Sequence, residues 1–282
     1  MREGTRPSGV VQRLLGVQAW LVFLFLYAPI IVLIVYSFND NRNVGVWTRP
    51  SLRWYEAMLQ DDNVIRSLRN SLVVALVSTI ISTVLGTAAG LALERYRFRG
   101  RRAYDGLLYL PIIIPDVTMA VMLLLFFSQA FAIINGSLGT RLNLGLTSIS
   151  LAHIAFNISF VAVVVRARLA QMDSHLEEAA SDLYATRWAA FRRVTLPLIM
   201  PGVAGGALLA LTISLDDVVV TSFVTGPGST TLPVYVFGLV RRGVSPLINA
   251  VSTVMLVASM ILVGVSLGFQ RRTRPAAVVV QE

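Results

Sequence analysis

The chain predicts an all-α membrane protein of six transmembrane helices, and three observations carry that reading. Its 282 residues are 55% hydrophobic and only 14% charged, with mean hydropathy +0.71, whereas soluble domains carry about 25% charged residues. Six apolar runs recur along it, each near the ~20 residues that cross a bilayer core. Its basic residues are concentrated in alternate loops, the pattern that orients a polytopic protein.

The runs fall at 14–36, 70–93, 107–134, 148–165, 204–222 and 248–268. The first is too long for the apolar core of a signal peptide. It continues through Pro29 to Tyr36, and no small-residue cleavage site follows at Ser37-Phe38-Asn39. It is therefore read as a retained helix. The second contains Gly86 and Gly90, and the fifth opens on Gly202 and Gly206. Such GxxxG spacings let helix backbones approach closely, either within the chain or against a second subunit. Segments 1–13, 94–106, 166–203 and 269–282 hold three, five, five and three arginines. Segments 37–69, 135–147 and 223–247 hold five, one and two. The two-to-one bias puts both termini and the loops 94–106 and 166–203 in the cytoplasm. With no internal repeat and no linker, residues 1–282 read as one membrane domain, ending in a short Arg-rich tail at 271–282.

Composition also excludes functions. There is no Cys and only two His, His153 and His175, so neither a disulfide framework nor a Cys- or His-based metal cluster is expected. All 24 basic residues are Arg, read as codon bias rather than mechanism. The net charge of +9 follows from cytoplasmic Arg-rich loops and needs no nucleic-acid partner. No GxxxxGK[ST] is present, so the chain is not expected to bind ATP through a P-loop, and no catalytic constellation is visible.

The most specific stretch is Leu176–Val203, LEEAASDLYATRWAAFRRVTLPLIMPGV. It is a polar, Arg-bearing segment between two apolar runs, so it must be a loop outside the lipid. Glu177 and Glu178 open an Ala-rich turn, Arg187, Arg192 and Arg193 lie toward its end, and Pro197 and Pro201 mark its exit. Glu178-Ala179-Ala180, followed by Val194-Thr195-Leu196-Pro197, resembles the EAA loop of ABC-importer permeases. Where that family has Gly, this chain has Tyr184. Gly there would allow a positive φ between two short helices, and another residue in that region costs about 1–2 kcal/mol. Either the turn is built differently here or coupling is altered. The resemblance implies a type I ABC-importer permease fold. It also implies a coupling role for Glu178, Ala179, Ala180, Tyr184, Ala185, Arg187, Leu196 and Pro197.

Three acids fall within apolar runs. Asp116 follows Pro111 and Pro115, roughly 14 Å into its span, and Asp216 and Asp217 lie about 20 Å into theirs. A carboxylate facing lipid costs roughly 2.5–3.5 kcal/mol, so all three should face protein or water. Adjacent helical residues point about 100° apart. One of Asp216 and Asp217 can therefore line a cation path while the other pairs at a helix interface, with Arg241 or Arg242 as candidates. Satisfied packing acids are the alternative for all three. His153 and Asn157, one turn apart, read as interhelical hydrogen-bonding residues. Trp47, Trp54, Tyr55 and Tyr235 read as interfacial anchors, or as a docking face for a binding protein or a cation–π gate.

Residues 214–250, Pro115–Ala120 and Ala92–Gly100 further resemble the second permease subunit of spermidine/putrescine importers. That resemblance implies import of polyamine cations across a bacterial cytoplasmic (inner) membrane. The implied partners are a second permease subunit, two copies of a cytoplasmic P-loop ATPase that bind ATP and Mg, and a periplasmic or lipid-anchored substrate-binding protein. No cofactor is expected in this chain. Permeases for thiamine, iron, opines or sugars share the loop and stay open as alternatives. An ion-coupled secondary transporter using the three acids is the rival from another class.

Overall fold

The computed structural model describes residues 9–173, 175–243 and 245–272. Twelve helices follow one another among them: α1 Gly9–Ser37, α2 Arg53–Gln60, α3 Asp62–Arg95, α4 Arg101–Ile113, α5 Asp116–Leu138, α6 Leu146–Leu169, α7 His175–Asp182, α8 Arg187–Ala190, α9 Leu196–Asp216, α10 Val219–Val224, α11 Leu232–Arg242 and α12 Pro246–Arg272. A single π-helical turn, Phe191–Thr195, joins α8 to α9. The only β feature among the described residues is an isolated bridge between Asn39 and Pro50. Five helical stretches are long and apolar enough to cross a membrane: Arg13–Ser37, Asp62–Arg95, Asp116–Leu138, Leu146–Leu169 and Arg187–Asp216. Leu232–Arg241 and Pro246–Ile261 are shorter apolar helices. Of the Arg-rich tail, residues 273–282 lie outside the described residues.

Two expected spans are interrupted. The run 107–134 is two helices, α4 and α5, because Pro115 has no N–H to continue the ladder and holds Ile114 extended (φ −69°, ψ 131°). The run 204–222 breaks at Asp217, which is extended (φ −66°, ψ 124°), and resumes as the short α10.

The chain forms two compact units. One comprises residues up to Asp61 with Leu239–Val257. Within it, no apolar residue between Arg13 and Ser37 is fully buried, and the turn after α1 is organised by Asn39. The Asn39 amide nitrogen donates to the Val46 carbonyl (2.7 Å), its side-chain oxygen accepts from the Thr48 N–H (3.1 Å), and its carbonyl accepts from Trp54 Nε1 (2.8 Å). Tyr55 hydrogen-bonds Ser37 (2.6 Å). The hydrogen bond from Arg49 holds the Asp40 carboxyl below the usual carboxylate range, so this exposed pair stays charged into acid.

The other unit comprises Asp62–Gly238 with the residues from Ala258 onward. Its centre is α6, packed between α3 and α9. The two GxxxG motifs grip α6 from either side within the chain. A Cβ on Gly86 would stand 2.7 Å from Val161 Cβ and 2.8 Å from the Ile158 carbonyl oxygen, and one on Gly206 would stand 3.2 Å from Val161. Polar side chains cross the same interfaces. Ser214 of α9 bonds Ser78 of α3 (3.0 Å) and accepts from the Asn157 amide of α6 (2.8 Å). Asn70 donates to the Gly228 and Thr230 carbonyls, both at 3.0 Å.

Candidate functional site

The loop 166–203 folds as two short helices in a hairpin. Glu177 and Glu178 sit in the first turn of α7, where carboxylates oppose the helix dipole. The helix closes in a Schellman motif: the Ala185 N–H bonds the Ala180 carbonyl (3.1 Å) and the Tyr184 N–H bonds the Ser181 carbonyl (3.0 Å). The left-handed residue of that motif is Tyr184, at φ +60°. Of the two alternatives for this turn, the chain keeps the positive φ that glycine would adopt and carries it on tyrosine. The ring is 97% exposed, beside exposed Leu183 and Trp188. Thr186 caps α8, accepting from the Ala189 N–H (3.3 Å).

The expected coupling residues divide by exposure. Glu178, Ala179, Tyr184, Arg187 and Pro197 are exposed, whereas Ala180, Ala185 and Leu196 are half-buried, Leu196 against the core of Val161, Val165, Leu169, Ile199 and Ala210. The neighbouring acid, Glu177, anchors the hairpin. Its Oε1 accepts from Thr195 Oγ1 (2.7 Å) and lies 3.1 Å from Arg95 Nη2 at the end of α3. One residue away, Glu94 lies 3.6 Å from Arg166, which also pairs with Asp105 of α4. Sequence reasoning did not single out Glu177, Arg95 and Thr195. The adjacent acids give no local sign of which one turns inward.

The three intramembrane acids also divide. Asp116 opens α5 and Asp216 ends α9; both are exposed and neither makes a hydrogen bond or ion pair among the described residues. Asp116 stands one turn before Met119 and Ala120, and Asp216 three residues from both Ile213 and Val219. These four apolar residues share one cluster with Val220 and Phe127, and α5 packs on α10. Asp217 turns inward instead. Its side chain is 12% exposed, and it accepts from Thr221 Oγ1 and the Thr221 N–H, both at 2.7 Å, and from the Val220 N–H at 3.3 Å. His153 Nε2 is 2.9 Å from Thr221 Oγ1 and 3.4 Å from Asp217 Oδ2. His153 and Asn157 thus both bridge helices, to α10 and α9 respectively. The described residues contain no group of three or more His, Asp or Glu able to hold a metal ion.

The chain has clear relatives among known proteins. The family described as "Binding-protein-dependent transport system inner membrane component" matches residues 82–277. The chain belongs to this family. It is a permease subunit of the inner membrane, and its family transports rather than catalyses. It is 43% identical over 252 residues to the putrescine transport system permease protein PotI of Escherichia coli (strain K12), covering 89% of this chain and 86% of that protein. It is 40% identical over 247 residues to the spermidine/putrescine transport system permease protein PotC of Haemophilus influenzae, covering 88% and 92%. Solved structures show the ABC-importer permease fold. A bacterial ABC transporter involved in import of the acidic polysaccharide alginate superposes with TM-score 0.76 at 22% identity, over 94% of this chain and 96% of that one. The MetNI methionine transporter in an inward-facing form gives 0.63 at 18% identity, over 78% and 99%.

Proposed function

We propose that this permease imports polyamine cations, with spermidine and putrescine as the cargo class. The observation that carries the reading is the 40–43% identity to PotI and PotC over nearly nine-tenths of the chain. Two exposed carboxylates at helix breaks, Asp116 and Asp216, support it. Each would replace part of the hydration that an ammonium group loses in a path through the membrane. Six crossings with cytoplasmic termini suit the arginine distribution.

The α7–α8 hairpin is the coupling element in this reading. Glu178, Leu183, Tyr184, Arg187 and Trp188 present charge and apolar surface to a groove in a cytoplasmic ATPase, two copies of which bind ATP and Mg. Closure of the ATPase pair draws this hairpin and its counterpart on a second permease subunit together. Glu177 transmits that displacement to α3 through Arg95 and to the start of α9 through Thr195. A binding protein on the outer side delivers the cargo.

The test is the ATPase activity of the complex purified with its partner subunits in lipid, with and without binding protein loaded with spermidine, putrescine or thiamine. Stimulation by the polyamine-loaded protein is expected. Stimulation by another ligand alone would remove the cargo assignment, and absence of any co-purifying ATPase would overturn the coupling reading as well.

A further inference from the structure

We infer that Asp217 is a positioning residue rather than a cargo ligand, and that the buried chain His153–Thr221–Asp217 sets the α9–α10 break that turns Asp216 outward. The inference rests on the transport reading above and adds to it which acid meets the cargo and which holds it in place.

A carboxylate offers about four acceptor positions. In Asp217, Oδ2 is taken by the Thr221 N–H and hydroxyl at 2.7 Å each, with His153 Nε2 a further 3.4 Å contact to the same oxygen, and Oδ1 accepts from the Val220 N–H at 3.3 Å. A cargo ammonium at Oδ2 would have to displace Thr221, and the whole side chain is only 12% exposed. The Thr221 hydroxyl has one proton, and it is directed at Asp217, so Thr221 Oγ1 accepts from His153. That places the ring proton on Nε2. His153 is fully buried, with its ring 5.1 Å from that of Phe156 and its Nδ1 without a donor. Among the described residues, Thr221 Oγ1 bonds only Asp217 and His153.

One turn earlier, Ser214 is buried and tied to both Ser78 and Asn157. With that side of α9 turned into the unit, a rotation of about 100° per residue puts Asp216 some 200° away from it and Asp217 only about 60° away. The two clamps, Ser214 below the break and Asp217 at it, leave Asp216 the outward direction.

The chain contains no cysteine, so a single D216C probe can be read directly in the assembled complex with a membrane-impermeant thiol-reactive cation, by the mass added to this chain. The labelling rate is measured in the wild-type background and with T221S, T221V, H153N and D217N. T221S keeps the hydroxyl and should leave the rate unchanged. T221V, H153N and D217N should each change it by about threefold or more, since directly bonded groups couple strongly. An unchanged rate in those three backgrounds, with normal amounts of complex in the membrane, overturns the inference. Uptake supplies a second readout. In a T221V background D217N should add no further loss, whereas a cargo ligand would add its own, about fivefold or more, and that result would also overturn it. Labelling needs no cargo. The expected labelling pattern without polyamine-stimulated ATPase would remove the cargo assignment and leave the positioning role standing.

Discussion

Tyr184 and Glu177 show how much one residue's neighbours decide. Tyr184 occupies the left-handed position of a helix-closing motif at φ +60°, which costs a non-glycine residue about 1–2 kcal/mol. Y184G removes that strain and adds back some chain entropy, so the α7–α8 hairpin should gain about 0.5–1 kcal/mol. Slower amide hydrogen exchange over 176–190 would register the gain. Y184A keeps the left-handed strain and should not slow exchange. Glu177 and Glu178 are adjacent and chemically identical, yet among the described residues only the Glu177 carboxylate has side-chain partners. E177A leaves Arg95 and Thr195 without their acceptor and should destabilise the hairpin by about 1–3 kcal/mol, read as faster proteolysis of the loop. E178K should leave the fold intact and uncouple ATP hydrolysis from uptake. Normal uptake in E178K would remove Glu178 from the coupling surface.

At the scale of elements, close helix packing and helix breaks together build the membrane unit. Val161 of α6 lies against glycines of both α3 and α9. G86A would push a methyl group to 2.7 Å from Val161 and 2.8 Å from a backbone carbonyl. Neither can retreat without moving α6. The variant should lose about 1–3 kcal/mol, visible as a lower melting temperature of the solubilised complex. G106A, on α4 with nothing within 4 Å of the added carbon, is the matched control and should melt at or slightly above the wild type, because alanine is favoured over glycine inside a helix by about 0.5–1 kcal/mol. Of the two breaks, the one at Pro115 is written locally, because proline both lacks an N–H and keeps the preceding residue extended. The break at Asp217 is only half local. The bonds to Val220 and Thr221 lie three and four residues away, but His153 comes from another helix. For this reason the run 204–222 reads as one span until the fold is seen.

At the scale of the whole molecule, the proposed transport cycle draws on partner subunits, and the ATPase measurement with loaded binding proteins tests that assembly. Sequence alone determined the class. Low charge content and the apolar runs mark a membrane protein, and the Glu178–Pro197 loop resembles that of ABC-importer permeases, the family to which the chain belongs. Those signals are legible because hydropathy, arginine bias and motif spacing are properties of the chain read in order. It also singled out three acids, since a carboxylate in an apolar run must be turned from lipid. Tertiary structure decided the rest: that Asp116 and Asp216 stay exposed while Asp217 is bound, that Glu177 rather than Glu178 anchors the hairpin, and that the GxxxG motifs close on α6 within the chain. Each of those outcomes depends on the rotation of one helix against another. That rotation is set by packing partners 50 to 160 residues away, such as Asn157 for Ser214 and Gly228 for Asn70, and no local periodicity records it.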